Sequence, residues 1–194
     1  MREEYAGPAD FGQRRVRVHL DGDRALVWQA HGHELADSCL ALGRYGGPRW
    51  SLARHTRLRL SLPSLLGRTE RGSRPGRERT LGVWLQRDVL ERLLAQAVHA
   101  TCEMAVYGTL KRWRLAARYA QVTIEWHPDR TLQGGEVARQ TPRIGVRQAA
   151  LSMFTDGVVA LEDWTERVAS RAPPPACTEL ELPDELVRRL SGEG

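Results

Sequence analysis

Val16–Trp28 reads VRVHLDGDRALVW, and this stretch decides the fold. Val16, Val18 and Leu20 alternate with Arg17 and His19, the period-two pattern of a strand with one buried face. Asp21-Gly22 follows, then the apolar run Ala25-Leu26-Val27-Trp28. An Asp-Gly pair between two such runs is the strongest short-range hairpin signal, so two antiparallel strands are predicted.

Outward from the hairpin, His33–Leu42 reads as a helix with Leu35, Cys39 and Leu42 on one face and Gly43 at its C-terminal stop. Thr80–Leu85 reads as a buried strand. Asp88 is expected to cap the next helix, whose stripe is Leu90, Leu93, Leu94, Ala97 and Val98. A basic helix spans 109–120, with Lys111, Arg112, Arg114 and Arg118. Gln121–Trp126 is a strand closed by His127-Pro128-Asp129, Gly134-Gly135 a loop, and Arg143–Val146 a short strand. Residues 147–155 are helical, Val158–Leu161 a strand, and 162–170 helical with Glu162-Asp163 at the positive dipole end. The expected fold is α+β, with a mixed, mainly antiparallel sheet and flanking helices. Residues 1–15 form an N-terminal extension and 16–172 a single domain. Pro173-Pro174-Pro175 opens a C-terminal tail, 173–194, with one short helix begun by Pro183-Asp184-Glu185.

Several function classes are excluded early. No stretch approaches the roughly 20 apolar residues that span a bilayer, and Met1-Arg2-Glu3-Glu4 lacks an apolar signal core. A cytoplasmic location is expected. Cys39, Cys102 and Cys177 are odd in number and widely spaced, which suggests neither a zinc site nor a disulfide framework. No Walker, GxGxxG or HExxH motif occurs. His31 and His33 are two apart but lack a third ligand, so no metal is expected.

Charge is where the sequence departs from an ordinary globular chain. Ten arginines between Arg44 and Arg79 (44, 49, 54, 57, 59, 68, 71, 74, 77 and 79) face only Glu70 and Glu78, a formal +8. The whole chain is +5, so everything else is −3. Lys111 is the only lysine, a bias that arginine-favouring codons alone can produce. Against that bland reading, Arg57 and Arg59 alternate with Leu58, Leu60 and Leu62, which in a strand puts guanidiniums on one face with Ser61 beside them. Guanidinium forks match phosphate oxygens. Gly72–Gly76 reads as a flexible loop. Of the six tryptophans, Trp50 beside Arg49 is the one placed to stack on a ring.

Val27-Trp28-Gln29-Ala30-His31, Glu34-Leu35-Ala36-Asp37 and Gly43-Arg44-Tyr45 resemble, in order and spacing, the bacterial domain-of-unknown-function family 4291. Arg17 lies where that family carries an arginine in its first strand. Arg54, Thr56, Arg59 and Ser61 fall on its RMTWIKPS segment, and Gly76, Glu78-Arg79 and Leu81 on its GQERVLAI segment. Trp126, Pro128 and Asp129, then Ile144-Gly145, then Leu161-Glu162-Asp163 match further blocks, so the resemblance runs from about residue 16 to 165. The resemblance is that of a divergent member: Arg57 stands where the family has a tryptophan, Arg59 where it has a lysine and Leu60 where it has a proline. Leu62–Leu66 replaces an aromatic-rich helix, Gln140 stands for arginine, and Arg143 for glutamine.

The layout is in turn similar to ADP-ribosyltransferase-like folds. That likeness implies an NAD-contacting residue on the first strands, Arg17 or Gln29, and a second group at Arg59 and Ser61. It implies a later acidic or amide residue, Glu125, Gln140 or Glu162, as the catalytic group that stabilises an oxocarbenium. The implied function is an enzyme handling a nucleotide-like ligand, with NAD as cofactor and no metal. Arg17, Arg54, Arg59 and Arg79 would hold phosphate, with Thr56 and Ser61 adding hydroxyls. Two alternatives stand beside it: a nucleic-acid binder using residues 44–79 and the basic helix 109–119, and a scaffold recruited to small-molecule biosynthesis.

Overall fold

In a computed structural model the described residues are 14–66 and 76–193. Among them nine strands form one sheet: β1 (Arg17–Asp21), β2 (Arg24–His31), β3 (Thr56–Arg59), β4 (Arg79–Gln86), β5 (Val98–His99), β6 (Val122–Arg130), β7 (Glu136–Val146), β8 (Val158–Asp163) and β9 (Thr178–Glu179). The helices are α1 (His33–Leu42), α2 (Leu62–Leu66), α3 (Arg87–Ala95), α4 (Met104–Tyr107), α5 (Leu110–Tyr119), α6 (Ala149–Asp156), α7 (Thr165–Ala169) and α8 (Asp184–Ser191). The chain is α+β, as expected. Its named strand pairs are antiparallel except β5–β6. No described helix is long and apolar enough to cross a membrane. The expected loop at 72–76 and extension at 1–15 fall mostly outside the described residues.

The hairpin forms one position later than the Asp-Gly signal suggests. Asp21 pairs with Arg24, so the loop is Gly22-Asp23, and Gly22 takes φ +58°. Glycine first in a two-residue loop is the pattern of a type II′ turn, which suits the strand twist. α1 ends on Gly43 at φ 64°, as its position predicts, although Leu42 is exposed rather than packed.

β2 is buried on both faces, which explains its unbroken apolar run. Ala25 and Val27 join a core under α1, α3 and α6, together with Val83, Leu94, Ile144 and Phe154. Leu26 and Trp28 join a smaller core with Leu62, Leu66 and Trp164. The two indoles meet edge-on at 4.9 Å between ring centroids. Gly82 on β4 makes room for this: a Cβ there would lie 2.9 Å from the Trp164 ring.

Several boundaries differ from the sequence expectation. Asp88 does not cap α3. The cap position is Gln86, and the Asp88 carboxylate pairs with Arg92 at 3.1 Å. The helix stops at Ala95, and Val98 begins β5. β6 does not close at Pro128 but passes through it, with a register shift between Pro128 and Arg130. A bulge is where a strand tolerates proline, because the missing N–H leaves no gap in the ladder. β7 is 11 residues long, not four, because its outer half pairs with that extension of β6. Glu162 and Asp163 end β8 rather than open a helix. Glu162 accepts from the Trp84 and Trp164 indoles at 2.7 and 2.9 Å, and Asp163 accepts from Thr165 N at 2.9 Å.

Residues expected as a tail pack onto the body. β9 pairs with β1, and Leu180 and Leu190 are buried in the larger core. Arg189 donates to the Ala97 and Ala95 carbonyls at 2.7 and 2.8 Å, satisfying acceptors that α3 leaves open at its end. Arg14 donates to Ser191 O at 3.0 Å and pairs with Glu103 at 2.8 Å.

Gly82→Ala should therefore lower stability by about 1–3 kcal/mol, the usual cost of overpacking against a ring that cannot withdraw. Urea denaturation monitored by tryptophan fluorescence measures it.

Candidate functional site

β2 and β3 share one cross-strand pair, Trp28 with Arg59, and then part. On its other edge β2 stays paired with β4 all the way to His31. β3 likewise stays paired with β7 from Thr56 to Arg59. The sheet thus opens between two continuous halves, and a cavity of about 280 Å³ occupies the opening.

A side chain spans the gap where backbone pairing stops. Gln29 is 2% exposed, and its amide donates to Thr56 Oγ1 at 2.8 Å and to Arg57 O at 3.0 Å. Its carbonyl oxygen accepts from the Tyr45 hydroxyl and from His31 Nε2, the latter at 3.1 Å. With the amide nitrogen committed to two acceptors, the oxygen requires donors, so neutral His31 carries its proton on Nε2. Nδ1, which has no hydrogen bond among the described residues, is left as an acceptor on a residue that lines the cavity. Tyr45 is fixed in turn by Phe154 and Trp50, at ring distances of 5.4 and 4.5 Å. The Arg54 guanidinium lies 4.9 Å from the Trp50 ring. Trp50 is therefore a support for Tyr45 and Arg54.

Five arginines line the cavity: Arg54, Arg57, Arg59, Arg77 and Arg143. No carboxylate is among the described lining residues. Arg143 is paired with Glu125, but Arg54, Arg57 and Arg77 form no ion pair among the described residues. The positive field reaches His31: burial first, then Arg54 and Arg77, lowers its pKa to about 4. His31 is therefore a neutral acceptor at neutral pH.

The expected site residues divide into groups. Gln29, Arg54, Thr56 and Arg59 come together here. Arg17, Ser61 and Gln140 do not: they line a second cavity of about 310 Å³ with Trp28, Asp129 and Cys177. There Ser61 donates to Asp129 at 2.6 Å, and Asp129 also accepts from Arg139 at 2.7 Å. Gln140 accepts from Arg14 at 3.1 Å. Arg79 lies in neither cavity. It bridges Asp37 and Asp163, tying β4 to α1 and β8. Glu162 is taken by its two indoles, while Glu125 is joined to the first cavity through Arg143. Sequence reasoning did not single out Tyr45, Arg77 or the His31–Gln29 contact. The signal was present: a glutamine and a histidine inside a strand buried on both faces need partners.

His31 makes stability pH-dependent with a definite sign. The unfolded chain takes up its proton near 6.5, and the folded protein resists until about 4. The contribution is whole above about 6.5 and is lost as pH falls towards 4, at about 1.4 kcal/mol per pH unit for this group. His55 and His99, also lowered by burial, slope the same way. Urea midpoints across this range should fall less steeply in His31→Asn than in the unmodified chain.

The model of a domain of unknown function (DUF4291) matches residues 15–182 of the chain. No curated protein matches it. The match spans β1 to β9 and takes in both cavities, including Gln29, Arg54, Thr56 and Arg59 in their opening between β2 and β3; this chain belongs to the DUF4291 family.

Proposed function

We propose that the cavity between β2 and β3 holds the diphosphate of a nucleotide, and that the protein is an enzyme of the ADP-ribosyltransferase type with NAD as its substrate. One observation carries this reading. Three guanidiniums without an ion pair among the described residues, Arg54, Arg57 and Arg77, line one cavity with no carboxylate in its described wall. Guanidinium forks bind phosphate oxygens bidentately, and partial burial strengthens such bonds.

The remaining groups fit roles around that anion. Gln29 and Thr56 hold the opening at a fixed width. His31 Nδ1 can accept a hydrogen bond from a ribose hydroxyl. Of the three acids and amides expected for catalysis, Glu125 is the one joined to this cavity, where it positions the Arg143 guanidinium and does not itself line the wall. In the transfer, the bond from ribose C1′ to nicotinamide breaks and its electron pair leaves with nicotinamide. A lone pair of the acceptor forms the new bond at C1′, and the acceptor's proton passes to a base.

Calorimetry with NAD and with ADP-ribose tests the reading. Arg54→Ala and Arg57→Ala should each weaken binding by about tenfold, about 1.4 kcal/mol. Arg17→Ala, in the other cavity, should leave it unchanged. No heat with either ligand up to about 1 mM, a binding energy near 4 kcal/mol, sinks the proposal.

A further inference from the structure

α5 presents four exposed cations, Lys111, Arg112, Arg114 and Arg118, and none forms an ion pair among the described residues. No Asp or Glu occurs between Met104 and Ile124, so nothing on this segment offsets them. Lys111, Arg114 and Arg118 recur at i, i+3 and i+7, which makes one stripe along the helix. Beside them Tyr119 is 69% exposed, with the Arg118 guanidinium 5.5 Å from its ring centroid.

The inner side of α5 meets a cleft of about 400 Å³, walled by Trp113, Ala117, Gln121, Arg147 and His55. Trp113 is held in place because its indole donates to His99 O at 2.9 Å. Arg147 is pinned to the end of α5 by a bond to Ala120 O at 2.8 Å. His55 lines both this cleft and the arginine cavity, so the two share a wall. Gly145 lets it sit there, since a Cβ would lie 2.7 Å from His55 Nε2. After burial, Arg57, Arg147 and Arg143 all lower the His55 pKa, so positive charge continues from cavity to cleft.

We propose that this face binds single-stranded nucleic acid. One phosphate sits among the cavity arginines, its base enters the cleft against Trp113, and neighbouring phosphates follow the cations of α5. The proposal rests on the anion-site reading for that first phosphate only. A single strand is specified because a base must leave its stack to enter the cleft, which a closed duplex does not allow. A nucleic acid suits the face better than an acidic peptide does, because Arg118 lies by the exposed Tyr119 ring and a cleft beside an indole accepts a flat base. A carboxylate side chain brings nothing to fill that cleft.

Fluorescence anisotropy of a labelled short oligouridylate decides it, with NAD calorimetry on the same preparations. The strand should bind more tightly than its blunt duplex with oligoadenylate. With about four phosphates neutralised, the log–log salt slope should be near −3. The combined variant Lys111→Glu, Arg114→Glu, Arg118→Glu changes only exposed positions. It should lose at least about tenfold in affinity and flatten the slope by about 2, while its thermal melt and NAD titration match the unmodified protein's. No anisotropy change at about 50 mM salt overturns the proposal. So does equal binding by the variant, equal binding of the duplex, or equally effective displacement by polyglutamate. If NAD binds and the strand does not, this inference falls and the nucleotide reading stands; the reverse result overturns the nucleotide reading alone.

Discussion

The Gln29 carboxamide holds this architecture in its working shape. Backbone pairing between β2 and β3 ends after Trp28 and Arg59. Beyond it, one side chain makes four hydrogen bonds, two to β3 and two to Tyr45 and His31. A buried amide without partners costs about 1–3 kcal/mol, so each of these bonds constrains the others. The result is a sheet that is open yet specified: the gap has a width, a proton location on His31, and a hydroxyl at each side.

Around that gap the arginine excess sorts itself. Arg49 pairs with Glu34, and Arg79 is locked between Asp37 and Asp163. These are structural charges of the kind codon bias supplies. Arg54, Arg57, Arg59 and Arg77 come to the cavity, although only the first three are near one another in sequence. Guanidiniums crowded in this way repel one another, which is a cost in stability, and they add to the lowering of the His31 and His55 pKa that burial begins. A surface chosen only for solubility would spread them. A site for an anion concentrates them, because the ligand then neutralises the repulsion.

The hairpin, α1 and the strand at β4 were legible in the sequence because each is announced by neighbours: Gly22 at the turn, Gly43 at the stop, and an apolar run on a strand with no exposed face. Half of the site was legible too, since Arg54, Thr56 and Arg59 lie on one short segment. What was hidden is long-range. Nothing local says that β2 and β3 part after one pair, so nothing local separates Ser61 and Arg17 from Arg59. Pro128 reads as a strand's end unless the bulge opposite β7 is known. Glu162 reads as a helix opener unless two indoles converge on it.

The junction of β1 with β9 places early and late parts of the chain side by side, with Arg14 clasping Ser191 and Arg189 closing α3. On a ribosome this sets an order of events. The β1–β2 hairpin can close as soon as it emerges, because its contacts are local. Its outer strand then waits through more than a hundred residues of synthesis for the segment that covers it. During that interval an unpaired edge is available to neighbouring chains. The edge of β1 closes only once Thr178 and Glu179 have been made and can reach it.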